Sequence, residues 1–180
     1  GNFLLTHGER PKNIYVFAKE NHFDEKEFYQ FFSSFEHLEK EILKHFFQKS
    51  LELSLEIEGY EDMSAKERLL NLYFIFFENL TMNRSLVIMI LGKKNLSTVQ
   101  KLHELKSEHQ KFIKTLDFND LEILEKAKDS IKNFNEKSRE EALWLHFLSI
   151  IEFWQKDESP SFEKTDLFIE KTIDTGFEFL

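Results

Sequence analysis

Residues 11–38 read PKNIYVFAKENHFDEKEFYQFFSSFEHL, and this stretch decides the fold. Ile14, Phe17 and Ala18 stand at i, i+3, i+4, the spacing of one helix face. Pro11, behind Gly8-Glu9-Arg10, suits the first turn of that helix, which is expected to run to Glu20. Asn21-His22 breaks the pattern. Asp24 then stands where an N-cap belongs. Glu25–Phe31 follows, with acidic residues in its first turn and Phe28, Phe31 and Phe32 on its apolar side. Ser33-Ser34 opens a longer helix, Phe35–Glu58, with a stripe of Leu38, Ile42, Phe46 and Leu53 and with Leu43 and Phe47 alongside, and Gly59 closes it. Short helices joined by a tight break, the second in the reading position, have helix-turn-helix spacing.

Downstream everything regular also reads as helix. Ser64-Ala65-Lys66-Glu67 is a Ser-x-x-Glu capping box, and Leu69–Phe77 follows almost without a polar gap. A helix that is apolar all round is a central, enclosed one. Asn83-Arg84-Ser85 breaks it, and Leu86–Leu91 is a short apolar helix closed by Gly92. Leu96, Val99, Leu102, Leu105, His109, Phe112, Ile113 and Leu116 line one side of the next helix. Residues 117–136 are more polar and read as a short helix with a loop. Ser138-Arg139-Glu140-Glu141 repeats the capping box, and the helix behind it to Lys156 is again apolar nearly all round. Ser159-Pro160 opens the last helix, with Phe162, Ile169, Ile173, Phe177 and Leu180 on one side. The penultimate helix carries more apolar surface than one side of packing consumes. A homodimer is the simplest remedy: two helices from each of two subunits, with Ile151, Trp154, Ile169, Ile173 and Phe177 at the interface.

Composition agrees with an all-α chain. Among 180 residues there are only 5 Gly and 2 Pro, too few for a sheet protein with many tight turns. Apolar residues are 41% and charged ones 32%, an ordinary globular balance. No cysteine is present, which removes disulfides and thiol chemistry and fits a reducing, cytoplasmic setting. No run reaches the roughly 18 apolar residues of a membrane span, and Asn2–Leu5 is too short for the apolar region of a secretion signal. The net charge is −9, so any nucleic-acid contact must be local. The 21 phenylalanines fit either a codon-biased genome or an aromatic-lined cavity.

Residues Thr6–Leu38 resemble, without a gap, the DNA-binding segment of tetracycline-repressor-like (TetR family) transcriptional regulators. Gly8, Ile14, Phe17, Ala18, Phe23, Asp24, Phe28, Tyr29, Phe31, Phe32, Ser34, Glu36 and Leu38 occupy the places of the family pattern, and Phe28-Tyr29-Gln30-Phe31-Phe32 is its most specific part. The resemblance implies a helix-turn-helix domain over residues 1–38 and a helical ligand-binding and dimerisation domain over 39–180. It implies a homodimer, operator DNA and a small-molecule ligand as partners, and repression relieved by that ligand. Ser159–Asp166 also looks like a divergent branch of the family. Three positions depart from the pattern. His22 stands where the turn usually has a small residue, Asp24-Glu25-Lys26-Glu27 opens the reading helix, and Phe35 replaces a phosphate-gripping lysine. Over Thr6–Leu38 four basic residues face six acidic ones, 4 − 6 = −2. A degenerate relative that binds a small molecule or protein without DNA is therefore the alternative.

Candidate DNA contacts are Gln30 for a base edge, and Lys26 and Tyr29 for phosphates. Phe74, Phe77, Met89, Phe112, Trp144 and Phe147 lie on helices expected to face one another, and their aromatic and thioether walls suit a small apolar ligand. His109 and His146 fall on apolar faces and read as core histidines or as ligand-orienting groups. Nothing points to catalysis. Glu-x-x-His, His-Glu-x-x-His, Gly-x-Ser-x-Gly, a phosphate loop and Gly-x-Gly-x-x-Gly are all absent, the histidines do not fall at metal spacing, and no cofactor or membrane partner is implied.

Overall fold

The computed structural model describes residues 2–92, 100–118 and 129–178. Among them are nine α-helices, two short 3-10 turns and no strand. In chain order the helices are α1 (Asn2–His7), α2 (Ile14–Glu20), α3 (Glu25–Phe31), α4 (Phe35–Leu55), α5 (Ala65–Met82), α6 (Arg84–Leu91), α7 (His103–Ile113), α8 (Asp129–Lys156) and α9 (Glu163–Glu178). The chain is all-α, as its periodicity requires.

Helices α1 to α3 and the start of α4 form a head built around one ring. Phe17 meets Phe3, Phe23, Phe28 and Phe35 edge-on, at centroid distances of 5.8, 5.5, 6.2 and 5.5 Å. Edge-to-face geometry matches positive ring edges to negative faces, worth about 0.5–1.5 kcal/mol per pair beyond area burial. Ala18 and Phe28 are buried beneath this cluster. Pro11 does not open α2. Asn13 caps it, accepting the Val16 N–H at 2.9 Å, because a side-chain acceptor satisfies an orphan donor that proline can only remove.

The body packs around α5. Its Leu69, Leu72, Tyr73, Phe76, Phe77 and Leu80 are buried, but Leu70, Phe74 and Ile75 are only half-buried, so the helix is not enclosed all round as its unbroken apolar run predicts. The Ser64–Glu67 capping box is formed in full. Helix α4 reaches from the head into this core, so residues 38 and 39 lie within one continuous helix. Its inner face is Glu39, Leu43, Phe47, Ser50 and Ser54, so the flanking Leu43 and Phe47 are the most buried of the expected residues, and Leu53 points outward. Ser50 donates to the Phe46 carbonyl at 2.8 Å and accepts from Asn79 at 2.8 Å, which fastens α4 against α5 through a side chain small enough to permit close approach.

Two further readings change. Ser138 is no cap, since α8 already begins at Asp129 and runs straight through it. A Ser-x-x-Glu signature caps only where the preceding backbone leaves the helix. Pro160 sits in a 3-10 turn, Pro160–Phe162, and α9 starts at Glu163. Leu96, Val99 and most of the polar stretch 117–136 lie outside the described residues or side chains. No single described helix is long and apolar enough to cross a membrane. The pair α5–α6 reaches that length only together, across a 93° bend, and α5's apolar residues form the core.

Candidate functional site

The turn between α2 and α3 is made by an unusual residue. His22 has φ of 59°, in the left-handed region that normally favours glycine. Its N–H donates to the Lys19 carbonyl at 3.4 Å, and the Phe23 N–H donates to the Ala18 carbonyl at 3.1 Å. These are the paired bonds of a Schellman ending, and the Phe23–Phe17 ring contact supplies its apolar clasp. The glycine missing from the sequence is thus replaced by hydrogen bonds and a ring contact. Helix α3 is thereby fixed beside α2.

Lys26, Tyr29 and Gln30 all lie exposed on α3, so the structure brings the three together on one outer face. Phe31 is 70% exposed beside them. The electrostatics are acidic. Asp24, Glu25 and Glu27 surround Lys26, and Arg10 is committed to Glu39. Phe35 is half-buried against Phe17 and Phe28, so that position serves packing rather than phosphate.

Glu39 joins head to body. Its carboxylate meets Arg10 from the α1–α2 loop at 2.5 Å and Lys101, ahead of α7, at 3.1 Å. Lys101 also donates to the Ile90 carbonyl near the end of α6. Lys101 and Glu39 are buried, and Arg10 is half-exposed.

The predicted ligand residues separate. Phe112, Trp144 and Phe147 are buried in the core, where Trp144 and Phe147 join Phe47 and Tyr73 in a ring cluster around His109. His109 shares a 2.7 Å hydrogen bond between Nε2 and the Tyr73 hydroxyl, while its Nδ1 has no partner. Burial, with His146 nearby, depresses the His109 pKa to about 3 and keeps it neutral; burial raises that of Tyr73. His146 bonds Thr172 at 2.7 Å. Met89 is half-buried on α6. Phe74 and Phe77, by contrast, line a cleft of about 320 Å³ with Glu78, Thr81, Trp154, Ser161, Phe162, Thr165 and Asp166. Sequence reading missed the acidic and α9 members, because no local signal links residues 74–81 to 154–166.

The cleft's floor is a fastened corner. Arg84 donates to the carbonyls of Trp154, Gln155 and Asp157 at 2.8, 3.0 and 3.2 Å, with its guanidinium over the rings of Trp154 and Phe162. Asp157 accepts from the N–H and hydroxyl of both Ser159 and Thr165, at 2.7–2.9 Å. Burial pushes this carboxyl up, but the four hydrogen bonds outweigh it and hold the pKa at about 2. The Ser159–Asp166 stretch singled out in the sequence is this corner.

The predicted interface residues are also re-assigned. Ile151, Trp154, Ile169 and Ile173 are buried in the chain's own core, and the Phe177 side chain lies outside the described residues. A helix apolar on every side gives no sign of which side turns inward. The outward strip of α8 and α9 is Ala142, Leu145, Leu148, Ser149, Phe153, Leu167 and Phe168. Leu145 is 64% exposed, Leu167 is 49% exposed, and Phe153 stacks on Phe168 at 4.5 Å.

Among the described residues no group of three or more His, Cys, Asp or Glu is arranged to hold a metal ion. Three short helices lead through the long α4 into a larger helical body, an all-α arrangement among the described residues. Residues 68–180 match the family described as tetracyclin repressor-like, C-terminal domain, and the chain belongs to the TetR family of transcriptional regulators. No curated protein and no solved structure matches the chain.

Proposed function

We propose that this chain is a ligand-responsive TetR-type repressor that binds operator DNA as a homodimer. The observation that carries this reading is the Schellman-fastened α2–α3 pair, which presents Lys26, Tyr29 and Gln30 on one exposed face ahead of a family-matched body. In this reading residues 1–38 are the DNA-binding domain and 39–180 the regulatory one. The outward strip of α8 and α9, centred on Leu145 and Phe153, pairs two copies by apolar burial. Gln30 reads a base edge, and Lys26 and Tyr29 grip phosphates. Ligand binding in the body shifts the population between DNA-competent and incompetent dimers.

Fluorescence anisotropy with fragments of the protein's own upstream region tests this. The expected result is a saturable complex that prefers its site over random DNA. Its log affinity falls with log salt by about 0.9 per phosphate contact. Tyr29→Ala and Lys26→Ala both weaken it. No complex at about 50 mM salt, from a dimer shown to be folded, refutes DNA reading.

A second reading is favoured by one observation, the three carboxylates around Lys26 at the start of the reading helix. Like charges facing phosphates oppose binding. The chain would then keep body and dimer and act as a small-molecule or protein-binding relative. Absence of DNA binding together with an intact dimer supports it.

A further inference from the structure

The cleft between α5 and the α8–α9 corner has a composition that selects its occupant. Its walls are the rings of Phe74, Phe77, Trp154 and Phe162, and its polar lining includes two carboxylates, Glu78 and Asp166. Neither carboxylate has an ion-pair or hydrogen-bond partner among the described residues. Partial desolvation and the neighbouring charges of Glu78 and Asp157 raise the pKa of Asp166, which marks the carboxylates as near one another. Asp157 and Arg84 stand at the adjoining corner, and with Glu78 and Asp166 the four sum to 1 − 3 = −2. Arg84 does not relieve the cleft. It is turned to three carbonyls at the end of α8.

Arg84 does show what these rings accept. Its guanidinium lies 4.6 Å from the Trp154 centroid and 4.5 Å from that of Phe162. Aromatic faces attract cations through their negative quadrupole. The rings of Phe74 and Phe77 are not used this way by any described residue. The lip is formed by Ser161 and Phe162, whose φ values of 53° and 58° put two consecutive non-glycine residues in the left-handed region. The hydroxyls of Ser159 and Thr165 donate to Asp157 across this corner, at 2.7 Å each.

We propose that this cleft binds a small organic cation, an amine or quaternary ammonium carried on an aromatic or branched apolar body. The apolar body lies against Phe74 and Phe77, and the cationic centre sits between Glu78 and Asp166. A volume of about 320 Å³ is at the small end for a ligand site, so the molecule is compact. Arg84, bound at the corner beside the cleft, is the first residue of α6, and α6 packs against α1, so one helix links that corner to the head. Only this last consequence rests on the regulatory reading. The binding itself is tested without DNA, and its failure leaves the DNA-reading proposal standing.

The experiment is isothermal titration of the full chain with three probes of one shape class: benzyltrimethylammonium, benzyl alcohol and benzoate. The expected order is cation above alcohol by about tenfold or more, with benzoate weakest, and the cation's affinity falls as salt rises. The double variant Glu78→Gln/Asp166→Asn loses about tenfold for the cation and nothing for the alcohol. Both positions are exposed, so the fold persists, which circular dichroism checks. Asp174→Asn, a carboxylate on the same helix that is already paired with Lys66 at 2.8 Å, leaves binding unchanged. The proposal is overturned if the cation binds no tighter than the alcohol, if it shows no binding at about 10 mM, or if the double variant keeps its affinity.

Discussion

Replacing Glu39 by Gln removes a carboxylate that two cations share across three segments of the chain. The side chains of Glu39 and Lys101 are 5% and 8% exposed, that of Arg10 43%. The Glu39–Lys101 contact is therefore a buried ion pair, and the Arg10 contact is a half-solvated one. Breaking a buried pair from one side leaves an uncompensated charge and costs about 3–5 kcal/mol, whereas a solvated pair contributes about 0–1 kcal/mol. Lys101 keeps its bond to the Ile90 carbonyl, so the low end, about 3 kcal/mol, is expected for Glu39→Gln. Lys101→Met costs less, about 1–2 kcal/mol, because Arg10 still neutralises the carboxylate left behind. Arg10→Ala costs under about 1 kcal/mol. The double variant Glu39→Gln/Lys101→Met recovers part of the loss, since no charge remains stranded. Urea denaturation of all four, at constant m, gives these differences. A domain is stable by only about 5–15 kcal/mol, so the expected effect is large against the total. If Arg10→Ala destabilises as much as Glu39→Gln, or if Glu39→Gln costs under about 1 kcal/mol, the pair is solvated and the reasoning fails.

Three further outcomes follow from the geometry. His22→Gly should stabilise the chain by roughly 0.5–1 kcal/mol by relieving left-handed backbone, while a β-branched residue there should destabilise it, both by thermal or urea unfolding. The folded pKa of His109, about 3, lies below its ordinary value of 6.5. The unfolded chain therefore gains a proton as pH falls through 6.5 while the native one does not, and stability drops on acidification until about pH 3. His109→Gln should flatten this limb by up to about 1.4 kcal/mol per pH unit between about pH 6 and 4, and parallel curves for variant and wild type would refute the buried neutral ring. Leu145→Glu should place a charge in the proposed dimer face and lower the mass seen by light scattering from twice 21.7 kDa to once, without loss of helicity, whereas an unchanged dimer means that another face pairs the subunits.

Much of this was legible locally. The short helices of the head, the Asn21-His22 break and the Ser64 cap depend on contacts within four or five residues, and the sequence carries them as spacing and caps. The shared exposure of Lys26, Tyr29 and Gln30 was legible for the same reason, since they stand on one short helix face. The false cap at Ser138 shows the limit of such signals, as the same four residues cap a helix only where the chain enters it from outside. Phe112, Trp144 and Phe147 were recognised as inward-facing, but periodicity does not tell a filled interior from a hollow one.

The sequence by itself determined the helical class, the break between α2 and α3 and the family, because each is written in short-range periodicity or in a run of residue types at fixed register. The tertiary structure alone decided which side of α8 faces the core, since a helix apolar all round has no preferred face until its neighbours pack. It alone joined Glu78 to Asp166 and Glu39 to Lys101. Those residues lie 88 and 62 positions apart, and only the packing of α4, α5 and the corner before α9 brings their charges within reach of one another.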